Sequence, residues 1–347
     1  MKEVKKRILW VDIAKALTIL SVPISHTLEI EMTLRTMFFS FHMPLFFILS
    51  GFTTKLATDW KTFRARLKKN FLHLIVPAFI VLVIFAIAIS FTDSMVEFGA
   101  KDGFSSILPN LKLVFSKFFL NLYPEGFGNA AAVWFLVALF FAKTIMDFIN
   151  VTLKSEKNWL IFFFLGILGI CLGVFEKRLP FYLDLAFVGT MFIEIGILWR
   201  KHEEFIKKYS TPILLIALVF WFSGVMRGTF LELWLRFYGG LEQSILVAIA
   251  GTFIISNFAM AIEDATKKAG KFFKKSVEAL SIVGKNLLLF LMIHCLDDSI
   301  FYHLWEVRDG TKKMMWASVA LRLLLDLALF ILFYGIINFF KNRKKAK

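Results

Sequence analysis

Residues 36–54 read TMFFSFHMPLFFILSGFTT. The run has about the ~20-residue length that carries an α-helix across a bilayer core, interrupted by a histidine, a proline and a Ser-Gly pair. Three readings compete: a Ser/His nucleophile pair, a broken membrane helix, or a tightly packed one. His42 and Ser50 are eight residues apart, which places them ~12 Å apart along a continuous helix axis, too far for nucleophile and base to touch. Pro44 suits the start or a kink of the helix, and Ser50-Gly51 lets a neighbouring helix approach closely. The stretch therefore reads as a packed, site-lining membrane helix, with His42 either a ligand-binding group or a packed interfacial one.

The rest of the chain agrees. Of 347 residues, 58% are hydrophobic and 43 are Phe, with a mean hydropathy of +0.71. A soluble domain averages about 45–50% apolar residues and lacks repeated apolar stretches of spanning length. Windows at about 10–27, 36–54, 72–91, 130–149, 159–175, 180–199, 211–226, 239–262, 278–297 and 315–340 give ten expected spans. The fold expected is an all-α polytopic helix bundle filling residues 1–347 as one membrane domain, with no appended soluble domain. A basic lead (Lys2, Lys5, Lys6, Arg7) resembles a signal peptide, but Asp12 and Lys15 interrupt the apolar run and no small-x-small site follows. It reads as a retained first helix.

The formal charge of +15 raises nucleic acid as a partner, but its distribution argues otherwise. Segments 1–9, 55–71, 150–158, 200–210, 263–277 and 341–347 hold 26 Lys/Arg, while the alternate segments hold 11. By the positive-inside rule both termini face the cytoplasm, and the basic excess reflects topology. Cys171 and Cys295 are far apart in sequence, so neither a disulfide framework nor a metal site is expected. A cluster of His294, Asp297, Asp298 and His303 fits no familiar metal spacing. The long segment 92–129 mixes apolar and basic residues and ends in a turn at Pro124, Gly126 and Gly128, as an interfacial or re-entrant piece would.

Ionisable groups inside spans are costly and are functional candidates by default, although bundles also use them as structural pairs. The first span carries Asp12, Lys15 and His26. Lys15 and His26 are 11 residues apart, three turns and ~16 Å along one face. Asp12 sits three residues before Lys15, a spacing that permits an ion pair. His26 is the group whose ordinary titration range suits proton transfer near neutrality. Glu29 could orient its ring or be a loop carboxylate. Asn286 and His294 form a second pair in the ninth span, and His294 could equally be a histidine bonded to a loop. The basic loop 55–71 suits lipid headgroups, topology, or an anionic cytosolic ligand. Asp147, Asp184, Glu194, Glu242, Glu278, Lys285, Arg322 and Asp326 are further span or near-span charges whose partners cannot be read from sequence.

Taken in order, these motifs resemble the bacterial acyltransferase-3 family of integral-membrane O-acyltransferases. A basic residue, ten residues and a histidine stand at Lys15 and His26. The F-H-x-P-L-F-F-x-L-S-G-F segment stands at 41–52, a basic loop ending in Pro at 61–77, W-F-L at Trp134, and G-x-N…H at Gly284, Asn286 and His294. The compact form is most similar to the branch of fucose acetylase-like and enterobacterial-common-antigen-type acetyltransferases. Family members often carry Arg-x-x-Arg just before the Pro; here Asn70 and His73 occupy those places, with Arg64, Arg66, Lys68 and Lys69 upstream.

The resemblance implies a cytosolic acyl-CoA donor, acetyl-CoA first of all, used as co-substrate with no bound cofactor and no metal. It implies an acceptor hydroxyl on an envelope glycan or lipid-linked sugar, at the bacterial cytoplasmic membrane. The expected catalytic group is His26 as general base, alone or in relay with His294, supported by Lys15 and Asp12. His42, Ser50, Asn286 and Trp134 are the expected acceptor-side lining. Arg64, Arg66, Lys68, Lys69 and His73 are expected at the CoA. A proton-coupled transporter or flippase for an envelope precursor is the alternative, because buried charges and membrane histidines also mark carriers.

Overall fold

A computed structural model describes residues 7–27, 32–91, 102–121, 132–300 and 312–345. The helices, in chain order, are α1 (Leu9–Thr27), α2 (Met32–Phe39), α3 (His42–Thr53), α4 (Trp60–Asn70), α5 (Val76–Phe91), α6 (Ile107–Leu120), α7 (Trp134–Leu153), α8 (Asn158–Val174), α9 (Leu183–Lys201), α10 (Glu203–Lys208), α11 (Ser210–Met226), α12 (Leu241–Lys268), α13 (Lys271–Lys285), α14 (Leu287–Ile300) and α15 (Lys312–Lys345). The fold is all-α. Among the described residues, six helices are long and apolar enough to cross a membrane, or seven if α13 and α14 count as one bent span. Apolar α8 and α11 are slightly shorter. The chain is a multi-pass membrane protein.

The expected windows each hold a helix, but several boundaries move for local reasons. The window 36–54 is two helices, α2 and α3, separated by a turn at Ser40-Phe41, and Pro44 falls in the first turn of α3, where a missing N–H costs least. The basic loop after it is a helix. Asp59 caps α4 by accepting from the N–H groups of Lys61 and Thr62, and its own N–H donates to the Thr62 hydroxyl. These bonds, that from Thr62 N–H first, hold the Asp59 carboxyl below the usual range. From Trp60 the chain runs without a break to Phe91, through one π-helical turn at Phe71–Ile75. α6, at 14 residues, is too short to span, in keeping with an interfacial piece; the turn expected at Pro124, Gly126 and Gly128 lies outside the described residues.

The chain gathers into two compact units. One comprises Met1–Phe46, Glu204–Leu231 and Gly239–Phe290. In it, α1 packs between α12 and α13, and α11 packs on α12 and α2. Glycine makes the tightest of these contacts possible: a β-carbon at Gly284 of α13 would overlap the carbonyl of Asp12 in α1. The first turn of α1, whose N–H groups lack helical partners, is met by Glu263, which accepts from the Trp10 N–H at 3.0 Å.

The second unit comprises Phe47–Glu203, Glu232–Tyr238 and Leu291–Lys347. Its centre is the α7, α8 and α9 cluster, where Gly166 and Gly169 of α8 lie against Met191 and the Asp184 carbonyl of α9. The second half of α3 presses on α9 through reciprocal glycines, Gly51 against the Ile193 carbonyl and Gly196 against the Ile48 carbonyl. The Ser-Gly pair of the opening stretch thus performs the close approach expected of it.

Candidate functional site

Three groups of buried polar residues stand out, each within one unit. The first is at the start of α1. Asp12, 5% exposed, pairs with Arg7 at 3.4 Å rather than with Lys15. Arg7 precedes the helix and is free to fold back along the first turn, whereas Lys15 is fixed to the helix surface one turn further on. Arg7, Lys15 and Lys285 all act on the Asp12 carboxylate electrostatically. Arg7 also donates to the Lys285 carbonyl at 3.4 Å, and the Lys285 ammonium donates to Ser281. This is a convergence of cations on one buried carboxylate, at the contact that Gly284 permits.

Further along α1, His26 stacks on Phe39 of α2, with ring centroids 5.7 Å apart. His42 meets the same Phe39 ring edge-on at 4.8 Å. Phe39 therefore lies against both expected histidines, and Arg35 caps its ring at 5.0 Å. His42 is buried, and its Nδ1 lies 2.9 Å from the Phe38 carbonyl. A carbonyl only accepts, so Nδ1 carries the proton and Nε2 keeps the lone pair. Asn286 sits at the break between α13 and α14, which bend by 73°, and its amide donates to the Ile282 carbonyl at 2.8 Å. Its polar side chain thus serves the end of its own helix.

The second group joins α14 and α15. His294 Nδ1 lies 3.1 Å from Asp326 Oδ2, and Arg322 donates to Asp297 at 3.1 Å. All four side chains are buried. The ligand-type atoms of His294, Asp297 and Asp326 fall within 4.8 Å of one another, close enough to suggest a cation. Arg322 already brings a positive charge into that cluster, which is the chemistry of an ion-pair network. The sequence offered His294 with Asp297, and Arg322 and Asp326 only as span charges without partners; these two have i,i+4 spacing on α15, and only the folded pairing assigns them to His294 and Asp297. His303 and the Asp298 side chain, considered with them, lie outside the described residues, as does Glu29.

The third group fixes α4. Arg66 donates to Asp147 Oδ2 at 2.7 Å, while Asp147 Oδ1 accepts from the Ala57 N–H at 2.8 Å. Asn150 donates to the Ala57 carbonyl and accepts from Asn158, extending the network through α7 to α8. Arg64, Lys68, Lys69 and His73 are exposed. At the opposite end of α7, Trp134 is buried with its ring 6.3 Å from that of Trp234. Trp234 in turn lies 5.8 Å from Tyr182, and the buried Arg236–Asp184 pair anchors the same segment at 2.9 Å. Ser50 is buried beside Gly51 in the α3 to α9 contact.

The structure thus draws His26 and His42 to one aromatic ring, sets Asp12 in a cluster of cations, and fastens His294 to Asp326. Set against known proteins, residues 8–340 match the family model of the acyltransferase domain. The chain belongs to the acyltransferase-3 family. The match runs through both units, from the start of α1 into the last two turns of α15. No curated protein and no solved structure matches the chain. Membership in the acyltransferase-3 family gives the general chemistry, acyl transfer in a membrane.

Proposed function

We propose that this acyltransferase moves an acyl group, acetyl first of all, from a cytosolic acyl-CoA to a hydroxyl of an envelope glycan or lipid-linked sugar. The ten-span arrangement with both termini cytoplasmic, and the fucose acetylase-like branch, belong to this reading. The observation that carries it is the match across residues 8–340 in a chain whose first helix holds Asp12, Lys15 and His26.

In the proposed reaction His26 takes the proton of the acceptor hydroxyl as its oxygen attacks the thioester carbonyl. The C–O bond forms, the C–S bond breaks, and the proton passes from the imidazolium to the departing CoA thiolate. Such proton transfer contributes about 10²–10⁴ in rate, and holding both substrates in line adds more. Phe39 holds the His26 ring by stacking, and His42, with its Nε2 lone pair free of the Phe38 bond, is proposed to accept from the acceptor sugar. His294 is the second proton-handling candidate. A carboxylate accepts, so Nδ1–H donates to Asp326 and fixes the tautomer with Nε2 unprotonated. Lys15, with Asp12, is proposed to line the donor's path, and Lys69 and His73, on the Arg66 side of the α4–α5 helix, to meet the CoA phosphates.

The 73° bend at Asn286 is a feature that transporters share, and it favours the carrier as second reading. One experiment separates them. Purified protein given acetyl-CoA and an envelope extract should release free CoA and add an acyl mass to the glycan. A carrier would leave the thioester intact.

A further inference from the structure

The helix from Trp60 to Phe91 has two unlike sides. Along α4, Arg66 and Lys69 are three residues apart and His73 follows four later, so they share the flank that Asp147 fastens. Lys61, Arg64, Lys68 and Phe71 follow one another by three, four and three residues, which places them on the other flank. All four are exposed. The π turn continues that stripe, because the Val76 N–H bonds back to the Phe71 carbonyl and puts residue 76 over residue 71.

Beyond the cations the stripe is entirely apolar. Phe71, Ile75, Val76, Phe79, Ile80, Val83 and Ile84 line an open groove of about 370 Å³. Phe115 and Phe119 of α6 lie against Phe79 at 5.0 and 5.3 Å and hold its ring in place. From Phe71 to Ile84 the helix rises ~20 Å, close to the ~15 Å depth of one leaflet's hydrocarbon. A groove without a polar lining group does not suit the amide-rich pantetheine arm of CoA. It suits a hydrocarbon chain whose head lies at the basic end.

We infer that this flank is a binding site for an anionic phospholipid of the leaflet next to α4. Its phosphate lies on Arg64 and Lys68, with Lys61 beyond, and one acyl chain lies along Phe71, Phe79, Ile80 and Ile84. Lipid phosphate and chain match the cation-then-apolar order of the stripe. A zwitterionic lipid such as phosphatidylcholine brings the same phosphate, but its ammonium offsets that charge and is repelled by Lys61, Arg64 and Lys68. The inference does not depend on the reaction assigned to the protein.

The test uses the full-length protein in nanodiscs of phosphatidylcholine with a minor share of phosphatidylglycerol, and reads the lipids retained after extraction by native mass spectrometry. Each basic residue near a lipid surface is worth about fivefold in affinity, so Arg64→Gln with Lys68→Gln should cut phosphatidylglycerol retention about thirtyfold. Arg64→Lys with Lys68→Arg should keep it. Ile80→Trp, which fills the groove and leaves the charges, should lower retention of phosphatidylglycerol while the thermal midpoint holds. Equal retention of both lipids by the wild type overturns the proposal. So does undiminished retention in the Gln variant, or displacement of the lipid by acetyl-CoA at stoichiometric concentration.

Discussion

The carbonyl of Asp12 occupies the space that a β-carbon on Gly284 would need. The first motif and the G-x-N motif are far apart in sequence, and this contact is where they meet. Gly284 brings α13 against α1, and Asn286, two residues on, ends α13 so that the chain can turn by 73°. Gly284→Ala should therefore push α1 and α13 apart at the buried carboxylate. The expected loss is about 2–3 kcal/mol, read as a lowered thermal midpoint in detergent. A midpoint unchanged within a degree would show that the two helices do not need this approach.

His26→Ala should leave the protein inserted and folded, since the ring is only half-buried and its removal leaves Phe39 against His42. Acyl transfer, read as CoA released and acyl mass gained by the glycan, should fall about 10²–10⁴-fold. His42→Ala removes a group assigned to binding, so its loss should appear mainly in the acceptor KM. Full activity in the folded His26→Ala protein would end the base assignment.

Arg66→Ala leaves the Asp147 carboxylate buried with only the Ala57 N–H against it. Arg66 is partly exposed, which reduces the penalty below that of a fully buried pair, to about 2–3 kcal/mol. Lys69→Gln should leave stability alone and raise the KM for acetyl-CoA several-fold. Thermal unfolding beside initial rates separates these effects, and an Arg66→Ala protein as stable as wild type would count against the network.

The His294–Asp326 bond is buried on both sides. A double-mutant cycle with His294→Gln and Asp326→Asn should give a coupling of about 1.5–3 kcal/mol in stability. If the pair also serves catalysis, Asp326→Asn should shift the pH profile of kcat, because an amide can donate as well as accept and no longer fixes which imidazole nitrogen holds the proton. A pairing that is only structural would lower the thermal midpoint and leave that profile in place.

Asp59 provides a pH test outside the membrane. Its carboxyl is held low by the cap bonds, chiefly from the Thr62 N–H, so its contribution is complete above the ordinary carboxylate range and fades as the pH falls through its lowered value. Protection of the Lys61 and Thr62 amides, taken relative to their intrinsic exchange at each pH, should persist through the ordinary carboxylate range and be lost only below it. Asp59→Ala should lack that protection at every pH.

The sequence carried the helical, membrane-spanning character, because apolar runs near 20 residues have few other uses. It also carried the close approach at Gly51, whereas Gly284 stood in it only as part of a motif, with no contact to be read from it. What it could not carry were pairings across elements. Asp147 with Arg66, Asp184 with Arg236, and Asp326 with His294 are 81, 52 and 32 residues apart, and no periodicity links them. The helicity of residues 60–70 was hidden for a different reason. Charged and polar side chains dominate that stretch as they would a solvated loop, and only the Asp-x-x-Thr cap announces a helix.

The single π turn at Phe71–Ile75 makes chain length itself a source of side-chain orientation. A π turn holds one residue more than the α-helix needs, so removing any one residue between 71 and 75 would restore the regular ladder and rotate everything before it by about 100° relative to α5. Arg66 would swing away from Asp147, and the Arg64–Lys68 flank would be carried off the line of the apolar groove. One deleted codon would thus reassign both faces of α4 without altering a single side chain on it.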